Sequence, residues 1–240
     1  MTTTQILTVS VLAILLLLIL PMYKSRTGKD FSEIIVGRVK KNPLGADYGS
    51  KKEPHLNNGT AGDLRYFLSS LVRTAMRKKM KVVAPGRIVY KGKTAEVTAF
   101  LVHGSGITGI VCLGYNGTIK MPSDGKGNWI QHMNGEDIPF ESPLAVRERY
   151  LEIVKSAFEK NGIEGPVDFV TVFTTNGVKL DNSIASAENV FYRNRYTDYI
   201  VKNAAVLSEG SLDVDRTAEK IAKLVGIAEL KKRENSRKKN

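Results

Sequence analysis

The run AEVTAFLVHGSGITGIVCLGYNGTI, residues 95–119, holds long apolar stretches with a glycine-serine pair near its middle. A strand with one wet face alternates apolar and polar residues; a strand covered on both faces need not. The run therefore predicts two strands, 95–103 and 106–114, turning at Gly104-Ser105, and a third from Gly117. A central hairpin of this kind must be covered on both sides by other parts of the chain.

Residues 60–80 supply one cover. Leu64, Phe67, Leu68, Leu71, Val72, Ala75 and Met76 recur at helical spacing. Thr60 suits the N-cap, with Asp63 three residues on in a box-like arrangement. Residues 142–160 supply a second helix, capped by Ser142, opened by Pro143 and ended by Asn161-Gly162. Its predicted apolar face is Leu144, Leu151, Val154 and Phe158. Short strands are predicted at 81–84 and 87–91, split by Pro85-Gly86, with a turn at Lys91-Gly92-Lys93. Asn116-Gly117 is a hairpin signal. After a polar loop at 122–128, Trp129-Ile130-Gln131 reads as a short edge strand. VDFVTVF, 167–173, reads as a buried strand, which Asn176-Gly177 turns toward 178–180. A strand near 190–192, a helix from Asp198 and an amphipathic helix through Ala218, Ile221, Ala222, Val225 and Ala228 complete the order. No internal repeat is evident. The fold class is α/β, a mixed β-sheet with packed helices.

The N-terminal end is of another kind. ILTVSVLAILLLLILPMY, 6–23, carries no charge, and at 1.5 Å per residue it comes close to the roughly 30 Å hydrocarbon core. A cleaved secretory signal would carry a basic leader and a small-residue cleavage site. Neither is present, and Lys24, Arg26 and Lys29 follow the run instead. The expectation is one uncleaved transmembrane helix in the cell membrane, N-terminus outside and the bulk of the chain cytoplasmic. Residues 30–41 read as a stalk helix and 42–58 as a linker rich in Pro, Gly, Asn and Lys. The domain division is thus anchor 1–23, stalk and linker 24–57, α/β domain 58–205, and helix with basic tail 206–240.

The chain of 240 residues has a formal net charge of +12. That excess favours anionic partners, either nucleic acid or an acidic lipid surface, though a solvated basic surface also accounts for it. Arg73, Arg77, Lys78 and Lys79 cluster at the end of the first long helix, where the helix dipole favours cations. Lys231, Lys232, Arg233, Arg237, Lys238 and Lys239 crowd the tail. These ten residues are the candidate nucleic-acid or lipid contacts. One cysteine excludes an intramolecular disulfide framework, and three histidines with it show no zinc spacing, so no metal site is expected. The sequons at Asn58 and Asn116 carry no meaning in a cytoplasmic domain.

From residue 58 to 205 the order and spacing resemble the NERD (nuclease-related) domains of the PD-(D/E)xK superfamily. Gly62-Asp63 opens the first helix where that family has Gly-Glu. EVTAFLV (96–102) lies where it has a Gln-Ile-Asp-His-like strand, and GITGIVCLGYNGTI (106–119) matches its Gly-Ile-x-Val-Ile-Glu-x-Lys strand in shape. Trp129, Ser142-Pro143-Leu144 and VTVF (170–173) fall at further family positions. The resemblance implies a metal-dependent nuclease centre, but the residues that would build it are absent. Thr98 stands for the metal-binding Asp, Cys112 for the Glu, Gly114 for the Lys, and Val146 near a helix glutamine.

Divalent metals of this kind need several hard oxygen ligands. A displaced centre from Asp63, Glu96 and Lys120 is the alternative, with Glu96 and Thr98 sharing one sheet face by strand alternation. Cys112 reads either as a reactive thiol or as a small buried hydrophobe. Three functions stay open: a catalytically dead binding or scaffold domain for an anionic partner, with no cofactor; an active nuclease using Mg²⁺ or Mn²⁺; and a structural subunit with protein partners in a membrane complex.

Overall fold

A computed structural model describes residues 61–122, 127–185, 187 and 189–226. The span at 6–23, the stalk, the linker, the Thr60 cap and the six basic tail residues lie outside them. Among the described residues no helix is long and apolar enough to cross a membrane.

Helix α1 (Ala61–Arg77) buries Leu64, Phe67, Leu68, Leu71, Val72 and Ala75, the stripe that its three-and-four spacing predicts. Met76, assigned to that stripe, points outward and is 55% exposed; Met80 is buried instead, after the chain turns through Lys79 at positive φ. Strands β1 (Lys81–Val83), β2 (Ile88–Tyr90) and β3 (Lys93–Ala95) follow. Then come β4 (Ala99–His103) and β5 (Gly106–Leu113), the central hairpin. All five residues of β4 are buried. His103 pairs with Gly106, so Gly104-Ser105 is the two-residue turn.

The predicted strand 95–103 is two strands. Ala95 pairs with Ile88 in the small β2–β3 hairpin, whereas Ala99 pairs with Ile110 in the main sheet. The chain changes partner over Glu96, Val97 and Thr98, which apolar content alone does not signal.

Beyond the hairpin lie β6 (Gly117–Lys120), β7 (Trp129–Met133), β8 (Glu136–Phe140) and helix α2 (Pro143–Lys160). Next are β9 (Val167–Phe173), β10 (Val178–Leu180), the short α3 (Asn182–Ala185) and β11 (Val190–Tyr192). Helices α4 (Arg193–Lys202), α5 (Ala204–Ser208) and α6 (Val214–Leu224) close the order. Ser142 caps α2 as predicted, its Oγ accepting from the Leu144 N–H at 3.2 Å. Helix α4 starts at Arg193 rather than Asp198; its N-cap, Tyr192, makes no side-chain cap bond, so nothing in the sequence marks the start.

The main sheet runs β1-β4-β5-β9-β11. Strands β1, β4 and β5 are antiparallel neighbours, while β5, β9 and β11 are parallel. One face is covered by α1 and α4, through Phe67, Leu71, Tyr196 and Ile200 against Leu101, Ile110 and Val172. The other is covered by α2 and α6, through Val154, Phe158 and Ile221 against Phe100, Val102 and Phe169. Helix α6, set apart with the tail by the sequence reading, thus belongs to this layer. Gly109 must be glycine, because a Cβ there would stand 2.3 Å from the Phe169 ring.

A second sheet, β10-β6-β7-β8, packs through Ile119, Trp129 and Phe140 on Phe173 and Val190 of the first. Trp129 is therefore fully buried in an inner strand, not at an edge. Neither Asn116-Gly117 nor Asn176-Gly177 closes a hairpin. Each ends a main-sheet strand and hands the chain to the second sheet, where β6 and β10 pair in parallel. The Asn-Gly hairpin turn is Asn134-Gly135 between β7 and β8, both residues at positive φ as a type I′ turn requires.

Candidate functional site

Thr98 lies just before β4 and Cys112 near the end of β5, so the two strands bring them together. The Cys112 N–H donates to Thr98 Oγ1 at 3.0 Å, and the Thr98 N–H donates to the Ile110 carbonyl at 2.8 Å. Both side chains are buried, as is Gly114, which follows β5. The Cys112 side chain packs in the apolar layer beneath α1 and α4. Burial pushes its thiol up to about 12, with the Thr98 hydroxyl opposing that shift. Of the two readings of this cysteine, the small buried hydrophobe is the one its surroundings fit. Val146 is half-buried on α2.

The displaced centre is not assembled. Asp63, at the start of α1, receives Arg193 Nη1 at 3.0 Å. Glu96 is half-exposed and pairs with Arg87 at 2.8 Å, beside Tyr150 of α2. Helices α1 and α2 lie on opposite faces of the sheet, so these two carboxylates belong to different layers. Lys120 is exposed on β6 of the second sheet, opposite Ile130. Among the described residues, no three His, Cys, Asp or Glu side chains are grouped so as to hold a metal ion.

A polar cluster that the sequence did not signal stands at the carboxyl ends of the parallel strands. Arg193, the first residue of α4, donates from Nη1 to Asp63 and to the Thr174 carbonyl at 3.1 Å, and from Nη2 to Asn176 Oδ1. Its guanidinium lies 4.7 Å over the Tyr66 ring. Thr174 in turn donates its N–H to the Leu113 carbonyl at 2.9 Å. One arginine thus ties α1, the β9–β10 turn and α4 to the end of β5. The Arg193 and Asp63 side chains are only 12% and 20% exposed.

Arg73, Arg77 and Lys79 are exposed and Lys78 is half-buried. Arg73 donates weakly from Nε to the Ser69 carbonyl, at 3.4 Å within its own helix. Of the candidate contact residues that are described, Arg73 and Arg77 are thus exposed on α1, and Lys78 and Lys79 follow its last residue.

No family model, curated protein or solved structure matches this chain.

Proposed function

We propose that this chain is a membrane-anchored, NERD-like α/β domain that binds an anionic partner and does not cut it. The Cys112 to Thr98 hydrogen bond carries the reading. The bond, from the Cys112 backbone N–H, occupies the one neutral oxygen at the positions that the resemblance assigns to carboxylate ligands, and the Cys112 side chain beside it is buried. The mixed sheet with helices on both faces supports the reading at the level of fold class.

Phosphodiester hydrolysis on such a scaffold relies on a metal to stabilise the attacking and leaving oxygens. Mg²⁺ and Mn²⁺ favour carboxylate, carbonyl and water oxygens. Thr98 offers one neutral oxygen that already accepts a backbone N–H, and Gly114 offers no side chain. The Asp63 charge is balanced by Arg193 and the Glu96 charge by Arg87. Binding then falls to the cations of α1 and of the tail. The 6–23 run, with positive charge only behind it, supports a single span that holds this domain on the cytoplasmic side.

Isothermal titration of the purified full chain with Mn²⁺ tests the reading. The expected trace shows no stoichiometric binding. A saturable site that disappears in Asp63→Asn or Glu96→Gln would restore the nuclease.

A further inference from the structure

Six large apolar side chains are exposed among the described residues, and five of them sit on one helical layer: Tyr66 and Met76 on α1, Tyr199 and Val201 on α4, and Val206 on α5. Solvent-facing helices rarely concentrate such residues without a partner. Tyr66, Arg73, Met76 and Arg77 recur at helical spacing opposite the buried stripe of α1, so they share its outward side. The only acid on α1 is Asp63, which is paired with Arg193. The outward side of α1 is therefore apolar and positively charged at once, and on α4 exposed Arg195 and Lys202 stand with exposed Asp198.

We infer that the outward face of α1, with the adjoining surface of α4, lies on an anionic phospholipid bilayer. The inference rests on the membrane-anchored, anion-binding reading above and names the partner. Charge complementarity requires an anionic surface. Nucleic acid would satisfy the arginines, but it has no use for Met76, Val201 and Val206, which partition readily into a headgroup region. The aromatic rings are also poor stacking platforms for bases. Arg193 covers Tyr66, while Tyr199 stands 6.2 Å from Tyr196 and 5.4 Å from Phe191. Tyrosine beside arginine is, however, suited to the membrane interface. The chain between the apolar run and α1, residues 24–60, reaches at most ~130 Å, so the domain never leaves the neighbourhood of its own bilayer.

The native cysteine allows a direct test, because Cys112 is buried and its thiol is held in the unreactive form. In the full chain in vesicles, Met76→Cys and, separately, Val89→Cys are labelled with an environment-sensitive fluorophore. Val89 is 60% exposed on β2, which is on the α2 side of the sheet. In phosphatidylserine-rich vesicles the label at Met76 should shift to the blue and be shielded from aqueous iodide, and the label at Val89 should do neither. High salt, or Arg73→Gln with Arg77→Gln, should reverse the shift without changing the melting temperature.

A label at Met76 as wet as that at Val89 would overturn the inference. So would a shift of equal size in phosphatidylcholine alone, because the shielding would then not depend on anionic headgroups. Shielding that appears only when an oligonucleotide is added would overturn membrane docking and leave the anion-binding reading standing. Loss of both lipid and oligonucleotide binding would end both.

Discussion

Cys112 and His103 sit at opposite ends of the central hairpin, and burial acts on them in opposite directions. The Cys112 thiol, pushed up to about 12, carries almost no thiolate near neutrality. Native protein at pH 8 should react with a thiol reagent at least a hundredfold more slowly than protein unfolded in guanidinium, followed by release of the chromophore. Fast native labelling would mean that the apolar layer beneath α1 is open. His103 is hydrogen-bonded through Nδ1 to Ser105 Oγ and through Nε2 to Thr108 Oγ1. Burial lowers its pKa, and the Leu207 backbone carbonyl opposes this. A lowered folded pKa means that the unfolded chain takes up the proton first as pH falls. Its contribution to stability is therefore present above about pH 6.5 and lost below it, by roughly 1.4 kcal/mol for each unit of lowering. The melting temperature should fall between pH 7 and pH 5.5, and His103→Gln should flatten that fall. The chemical type of these residues is legible in the sequence, but their partners are not. Thr98 meets Cys112 only because β4 and β5 pair, and Ser105 meets the Leu207 carbonyl across 102 residues.

Helix α1 buries six residues, most of them in the apolar layer on one face of the main sheet. Leu71 is fully buried beneath it, so Leu71→Asp strands a carboxylate with no partner and should abolish cooperative unfolding, a loss of several kcal/mol or so. A soluble variant with an unchanged melting temperature would refute this packing. Arg193 joins α4 to the start of α1 and to the turn after β9. Arg193→Ala removes the guanidinium that joins Asp63, the Thr174 carbonyl and Asn176 and should cost about 2 kcal/mol by denaturant unfolding, whereas Arg195→Ala, on the exposed side of α4, should cost under ~0.5 kcal/mol.

Elements with strong periodicity or caps, α1 and α2 above all, were legible from their residues. The two-sheet arrangement was not. Asn-Gly specifies a backbone that reaches positive φ, and Gly117 has φ of 76°. It does not specify which strand the chain meets next, and at Asn116 and Asn176 the next strand lies in the other sheet. Asn134-Gly135 carried the same signal between two alternating strands and was the one that marked a hairpin. Arg193 had no local signal at all, because its four contacts come from two distant parts of the chain, α1 and residues 174–176.

Taken whole, the chain is basic, with an apolar run near its N-terminus, and among the described residues no three His, Cys, Asp or Glu side chains are grouped so as to hold a metal ion. Its affinity for polyanions should therefore come from cations alone. Each phosphate contact adds about 0.9 to the slope of log affinity against log salt for duplex DNA. Neutralising Arg73, Arg77, Lys78 and Lys79 together should lower that slope by ~3.6 in a filter-binding titration, and EDTA should leave it unchanged. A slope unaltered by the four substitutions would move the contact surface away from α1. The central claim, that the domain binds without cutting, is tested most directly by incubating the purified full chain with supercoiled plasmid in Mg²⁺ or Mn²⁺ and following the topological form on a gel. The predicted result is plasmid that stays supercoiled at every protein concentration that retards it. Nicking that survives stringent purification and is abolished by Glu96→Ala or Asp63→Ala would contradict the account.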